Sequence, residues 1–131
     1  MDEAQQQQFG PYRLLEKVGQ GGMAEVFKAE KRGAMDFSRE VCIKRVRRGV
    51  SADAEFVEMF IDEARLCAKL RHNNIVTIED FGEHDGQLFL CMELVNGVDA
   101  MKLLKAFKAD GARVPVDMAL HIVREVLRAL E

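Results

Sequence analysis

A glycine cluster, Gly19-Gln20-Gly21-Gly22, separates two segments in which polar and apolar residues alternate, Tyr12 to Val18 and Glu25-Val26-Phe27-Lys28-Ala29-Glu30. Period-two alternation on both sides of the glycines reads as strand, turn, strand. The order matters, because a dinucleotide-binding fold places a helix directly after such glycines, whereas a glycine hairpin lays its backbone over a phosphate chain. A blander reading stays open beside these two, in which the glycines only turn the chain.

The rest of the chain reads as α+β. A third strand is expected at Glu40 to Val46, after a polar turn with Gly33 and Asp36. Ser51 and Asp53 offer a cap and a first-turn acid for a helix from Ala54 to Leu70, a stretch without Gly or Pro. Its apolar stripe runs through Phe56, Phe60, Cys67 and Leu70, and Glu63 falls on the same line. Two more strands follow, Ile75 to Phe81 and Gln87 to Leu94, joined across an Asp85-Gly86 hairpin step, which makes five antiparallel strands. Asp99 caps a short helix through Phe107, and Pro115 opens a last one with a stripe at Val116, Leu120, Val123, Leu127 and Leu130. No stop signal precedes Glu131, so the polypeptide is expected to end within an element, with that stripe exposed.

Composition narrows the function. The 131 residues suit one compact unit plus a tail, and the apolar and charged fractions, 48% and 31%, are those of a globular domain with no stretch of membrane-spanning length. A net charge of -3 gives no basic field for nucleic acid. Cys42, Cys67 and Cys91 form no metal-ligand spacing with each other or with His72, His84 and His121, and their odd, unpatterned count suits a reducing, cytoplasmic setting. The Gln-rich start, residues 1–10, lacks the features of a signal peptide and is expected to be a disordered leader.

Two charges then stand out. Lys44 lies in the apolar run Val41-Cys42-Ile43-Lys44, where a lysine needs an anion unless its strand is an edge and its ammonium reaches solvent. Glu63 lies on the helix line that otherwise reads as buried, unless it sits at the helix edge beside Asp62 and Arg65. Each charge answers the other's need, and an ion pair between them would hold the lysine toward a polyphosphate.

Glycine loop, Val-Cys-Ile-Lys, helical Glu-Ala-Arg-Leu-Cys-Ala-Lys-Leu, Arg-His-Asn-Asn-Ile-Val and Leu-Cys-Met-Glu-Leu-Val-Asn-Gly follow one another in the order of a protein kinase's small lobe. From Tyr12 to Glu131 the chain resembles the bacterial serine/threonine kinases related to eukaryotic ones, with Gly-Gly-Met-Ala-Glu-Val-Phe-Lys-Ala especially close to that group. The resemblance implies a kinase small lobe at 11–95, binding ATP, then a hinge and the first two helices of a truncated large lobe at 96–131. It gives Lys44 the grip on the alpha and beta phosphates and Glu63 the role of its partner, the two catalytic candidates of this chain. Gly19, Gly21 and Gly22, with Gln20 between them, become the phosphate loop. Val26 and Cys42 become the ceiling over adenine, Met92 the gatekeeper, Glu93 and Val95 the main-chain contacts to the adenine edge, and Asn96 or Asp99 the ribose contact. Core packing for Met92 and helix capping for Asp99 remain the competing readings.

The chain departs from that pattern at Ala24 for the third glycine, Asn73 for a common proline and Cys42 for the usual alanine. The larger departure is that the His-Arg-Asp and Asp-Phe-Gly segments, which in a kinase come after the last helix and supply the catalytic base and the magnesium ligands, are not present there. The resemblance therefore implies a parent that moves the ATP gamma-phosphate, with Mg²⁺, to Ser or Thr hydroxyls of protein substrates. The 131-residue chain itself is expected to be inactive, to hold no metal ligands of its own, and to self-associate through its exposed last helix. Two other classes stay in view: a pseudokinase-like interaction module without catalysis, and a dinucleotide-binding oxidoreductase, which requires a helix after Gly22.

Overall fold

The computed structural model describes residues 6–50 and 53–131. The chain divides into two units, one running to Arg71 and taking in Val76–Leu94, the other made of His72–Ile75 and Val95–Glu131.

The described residues of the first unit form an antiparallel sheet with one α-helix and a short 3-10 turn, Ala34–Asp36. Its strands are β1 (Gln7–Phe9), β2 (Tyr12–Gln20), β3 (Ala24–Arg32), β4 (Ser38–Val46), β5 (Ile78–His84) and β6 (Gln87–Glu93), in the order β1-β2-β3-β4-β6-β5. Strand β3 leaves the glycines directly, so the helix that an oxidoreductase needs there is absent and that reading falls. Among the described residues there are six strands rather than five, because Gln7–Phe9 pairs with Tyr12–Leu14 where a disordered leader was expected; residues 1–5 of that expectation lie outside the described residues. Phe9 explains the pairing. It is 2% exposed and packs edge-on against His84 and Phe89, ring centroids 5.0 and 5.3 Å away. Strands from opposite ends of the order thus meet, which means that the sheet curls on itself.

Alternation sorts the sheet into two faces. One buries Phe9, Tyr12, Leu14, Phe27, Ala29, Val41, Ile43, Phe89 and Cys91. The other buries Val46 and Leu90 against Phe60 and Ala64 of α1 (Ala54–Ala68), with Phe56, Ile78, Leu88 and Met92 packed around them. Burying side chains of this size stabilises by roughly 1.5–3 kcal/mol each, so the helix is held by its contact stripe more than by its own propensity.

Local signals set most element ends. Asp53 caps α1, its carboxylate accepting from the Phe56 N–H at 3.1 Å, while Ser51 lies outside the described residues. The helix stops at Ala68 rather than Leu70, since the Lys69 and Leu70 amides turn back to the Leu66 and Cys67 carbonyls and tighten the last turn. Strand β5 begins at Ile78 and not Ile75, because Ile75 closes a turn onto the His72 carbonyl; it runs on to His84 because the link to β6 is the two-residue Asp85-Gly86 turn, both residues at positive φ.

The curled face also buries a cation of the basic run Lys44-Arg45-Val46-Arg47-Arg48, which the sequence marks only as a run. Arg45 is 8% exposed and lies between the Phe9 and Phe27 rings, 5.1 and 4.8 Å from their centroids. Its guanidinium donates to Glu25 at 3.1 Å. Burial alone would raise the Glu25 carboxyl, but hydrogen bonds from Arg45 and Lys17 outweigh it and hold the group below the ordinary carboxylate range.

The second unit carries α2 (Ala100–Ala109) and α3 (Val116–Leu130). Asp99 caps α2 by accepting from the Lys102 N–H at 2.7 Å, and Pro115 precedes α3 at the cap position, one residue before the place expected for it. Asn74 joins this unit, its side-chain amide donating to the backbone and carboxylate of Glu125 at 2.8 Å. No helix of the described residues is long and apolar enough to cross a membrane.

Candidate nucleotide-phosphate site

The most telling feature is what the glycines do not do. Gly19, Gly21 and Gly22 have no positive φ, and a Cβ built on Gly22 would meet nothing within 4 Å. At Gly21 the nearest atom would be the Ala24 carbonyl at 3.9 Å, and at Gly19 the Val26 side chain at 3.7 Å, both ordinary contacts. Gly10 and Gly86, by contrast, sit at φ +57° and +74°, which their turns demand. The fold therefore has no need of glycine at 19, 21 and 22, and the bland reading in which they merely turn the chain loses its physical reason. Bare backbone at those positions leaves room for something else to approach.

Beneath the hairpin lies a cavity of about 380 Å³ lined by Gly21, Gly22, Val26, Lys44, Phe60 and Glu63, among others. That volume is at the lower end of the roughly 300–1,000 Å³ usual for small-molecule sites. Lys44 is placed by its register, opposite Val26 on β3 and Leu90 on β6, on the face that meets α1. Its Nζ lies 3.4 Å from Glu63 Oε1 and 5.9 Å from the Phe60 ring centroid. The two charges are not equally enclosed: the Lys44 side chain is 29% exposed and Glu63 is 54% exposed. Glu63 thus stands at the helix edge rather than on the buried line expected for it, because Ala64, one position on, makes the close approach to the sheet. A half-open pair of this kind contributes about 0–1 kcal/mol. It does little for stability, and it leaves two of the three ammonium protons of Lys44 to other acceptors.

The remaining candidates fall in three groups. Gln20 pairs with Glu25 and Gly19 with Val26 at the base of the hairpin. Cys42 and Met92 are cross-strand partners, Met92 packs beside the Leu90 cluster, and burial pushes the Cys42 thiol up, so it stays protonated. Glu93 is pinned twice to Thr77, donating its N–H to the Thr77 carbonyl at 3.0 Å and accepting the Thr77 N–H on its carboxylate at 2.9 Å. Val95, Asn96 and Asp99 belong to the second unit, where Asp99 serves as the cap of α2.

Sequence reasoning missed Phe56, Met59 and Phe60 as walls of the cavity, although the helical stripe already contained Phe56 and Phe60. It also passed over an Asp-Phe-Gly tripeptide at 80–82. That tripeptide lies in β5 and is engaged in packing: Asp80 accepts from the Tyr12 hydroxyl at 3.3 Å, the Phe81 ring lies 6.2 Å from Phe60, and a Cβ on Gly82 would come within 3.2 Å of Phe89. Among the described residues no three His, Cys, Asp or Glu side chains stand together as a metal site.

Fold and site together define a class, an α+β lobe in which a glycine hairpin and a helical carboxylate flank a strand lysine. The protein kinase domain model matches residues 12–131, and the chain belongs to that family. Tyrosine-protein kinase MasK of Myxococcus xanthus is 42% identical over 124 residues, which are 95% of this chain and 19% of that protein. Serine/threonine-protein kinase PknE of Mycobacterium bovis is 41% identical over 126 residues, 95% of this chain and 21% of that protein. The crystal structure of the Mycobacterium tuberculosis PknI kinase domain superposes with a TM-score of 0.71 at 31% identity, over 95% of this chain and 48% of that one. The chain thus spans about a fifth of the curated relatives and about half of the PknI domain.

Proposed function

We propose that this chain is the ATP-binding portion of a bacterial serine/threonine protein kinase whose whole length transfers the gamma-phosphate of ATP to protein hydroxyls. The observation that carries the reading is the set of glycines at 19, 21 and 22, which the fold does not require, two of them, Gly21 and Gly22, lining a cavity together with Lys44. In this reading the hairpin backbone approaches the phosphates, Lys44 binds the alpha and beta phosphates, and Glu63 keeps the ammonium from folding back to solvent. Val26 and Cys42 cover adenine and Met92 closes the back. Glu93 offers its carbonyl, its N–H being engaged with Thr77, and Val95 offers the second main-chain contact. Asn96 is the better ribose candidate, since Asp99 is engaged in capping α2. ATP would bring Mg²⁺ with it, which neutralises phosphate charge when bound. Serine and threonine are the proposed acceptors by similarity to PknE, and the cytoplasm is the proposed setting, where ATP and free thiols occur together. Self-association is part of the proposal too, since Val116, Leu120, Val123, Leu127 and Leu130 of α3 are each more than half exposed.

Calorimetric titration of the chain with ATP and with adenosine tests the reading. Wild type is expected to bind ATP more tightly than adenosine. Lys44→Ala is expected to cut ATP affinity by roughly tenfold or more, about 1.5–3 kcal/mol for a charge-assisted contact, and to leave adenosine unchanged. Gly22→Val, which meets open space in the protein, is expected to weaken ATP without lowering the melting temperature. Equal binding of ATP by wild type and both variants would defeat the proposal.

A further inference from the structure

One residue holds the tip of the glycine hairpin. Arg47, just past the end of β4, donates its backbone N–H to the Met23 carbonyl at 2.9 Å and its guanidinium Nη1 to the Gly22 carbonyl at 3.1 Å. Within the turn the Gly21 N–H closes onto the Ala24 carbonyl at 2.9 Å. Among the described residues the amides of Gly22 and Met23 have no protein acceptor. A trans peptide plane carries its C=O and the next N–H on opposite sides. Anchoring the Gly22 oxygen therefore turns the Met23 N–H away from Arg47, and Met23 lines the cavity while Arg47 does not.

We propose that Arg47 is the positioning residue of the glycine hairpin, presenting the Met23 amide to a phosphate and tying the hairpin to the strand that carries Lys44. This rests on the nucleotide reading above and adds a residue to it. Arg47 lies three positions beyond Lys44 on the same run of chain, so hairpin amide and strand ammonium are set by one local backbone. Glycines on their own make a mobile loop, and a mobile loop loses affinity to the cost of ordering it on binding. An anchor that fixes two adjacent carbonyls before the ligand arrives removes part of that cost. The guanidinium is suited to the task, because its fork holds direction where an ammonium on a flexible stem does not.

The test compares wild type, Arg47→Ala and Arg47→Lys in two measurements, hydrogen exchange of the segment 20–24 without nucleotide and titration with ATP and adenosine. Arg47→Ala is expected to speed exchange of that segment and to weaken ATP about three- to tenfold, the worth of one lost hydrogen bond, with adenosine unchanged. Arg47→Lys keeps a donor and is expected to fall between the two in both measurements; it carries the comparison alone if the alanine variant does not fold. Unchanged ATP binding in a folded Arg47→Ala overturns the proposal. So does weaker ATP binding with unchanged loop exchange, which would mean direct attraction by the arginine charge, and so does an equal loss for adenosine, which would mean general damage. A wild type that binds no ATP overturns the nucleotide reading itself, whereas wild-type binding matched by Arg47→Ala overturns only the role of Arg47.

Discussion

Incubated with labelled ATP and magnesium, the 131-residue chain is expected to place no phosphate on itself or on an added protein acceptor above the uncatalysed background. Phosphoryl transfer needs a group to orient the acceptor hydroxyl and cations to neutralise the charge that develops on the equatorial oxygens. A positioned base is worth about 10²–10⁴ in rate, and preorganised charge stabilisation is worth at least as much again. This sequence contains no His-Arg-Asp segment, and its one Asp-Phe-Gly is built into β5 with Asp80 bonded to Tyr12. In the proposed reading, the lysine and the glycine hairpin, without those groups, would bind the phosphates of ATP and not move them. Incorporation of label that Lys44→Ala abolishes would contradict this expectation, because the transfer would then be coming from the site itself.

Phe60→Ala is expected to lower the stability of the first unit by about 3–5 kcal/mol, the usual cost of deleting a buried phenylalanine. The site is among the most enclosed in the molecule: the side chain is 2% exposed, its ring lies 6.2 Å from those of Phe56 and Phe81, and it packs against Val46, Ala64 and Leu90. Against a typical total of about 5–15 kcal/mol, the loss is a large fraction of what keeps a domain folded. The substitution also removes the ring below the Lys44 ammonium, so ATP affinity should fall in whatever fraction remains folded. Urea unfolding followed by circular dichroism measures the effect. A loss under about 1 kcal/mol would mean that α1 is held to the sheet by something other than this cluster.

The parts of the fold that were legible in the sequence were those with a local cause. Alternation from Glu25 to Glu30 marked a strand after the glycines, Asp85-Gly86 marked a hairpin, and Asp53 and Asp99 marked two helix starts, because each pattern is written within a few residues of the element it shapes. What escaped depended on distant partners. Strand β1 buries only Phe9 of its glutamine-rich stretch, and nothing nearby announces that Phe89 and His84 will cover it. Arg45 reads as one charge of a basic run until Phe9, Phe27 and Glu25 close around it. For the site, the pairing of Lys44 with Glu63 was legible because two awkward charges needed each other, yet the depth of Glu63 was not, since the helix rotates to bring Ala64 nearest the sheet. Arg47 gave no sign of its part, because the carbonyls it holds lie across a hairpin from it.

An acyl-phosphate derivative of ATP gives the most direct test that the glycine hairpin and Lys44 enclose a triphosphate. The amine lying against the phosphates attacks the acyl carbon and keeps the label, while ATP leaves. Mass spectrometry is expected to find the label on Lys44, suppressed by excess ATP and not by adenosine. Label spread over Lys17, Lys28 and Lys31 on the neighbouring strands, indifferent to ATP, would contradict the account.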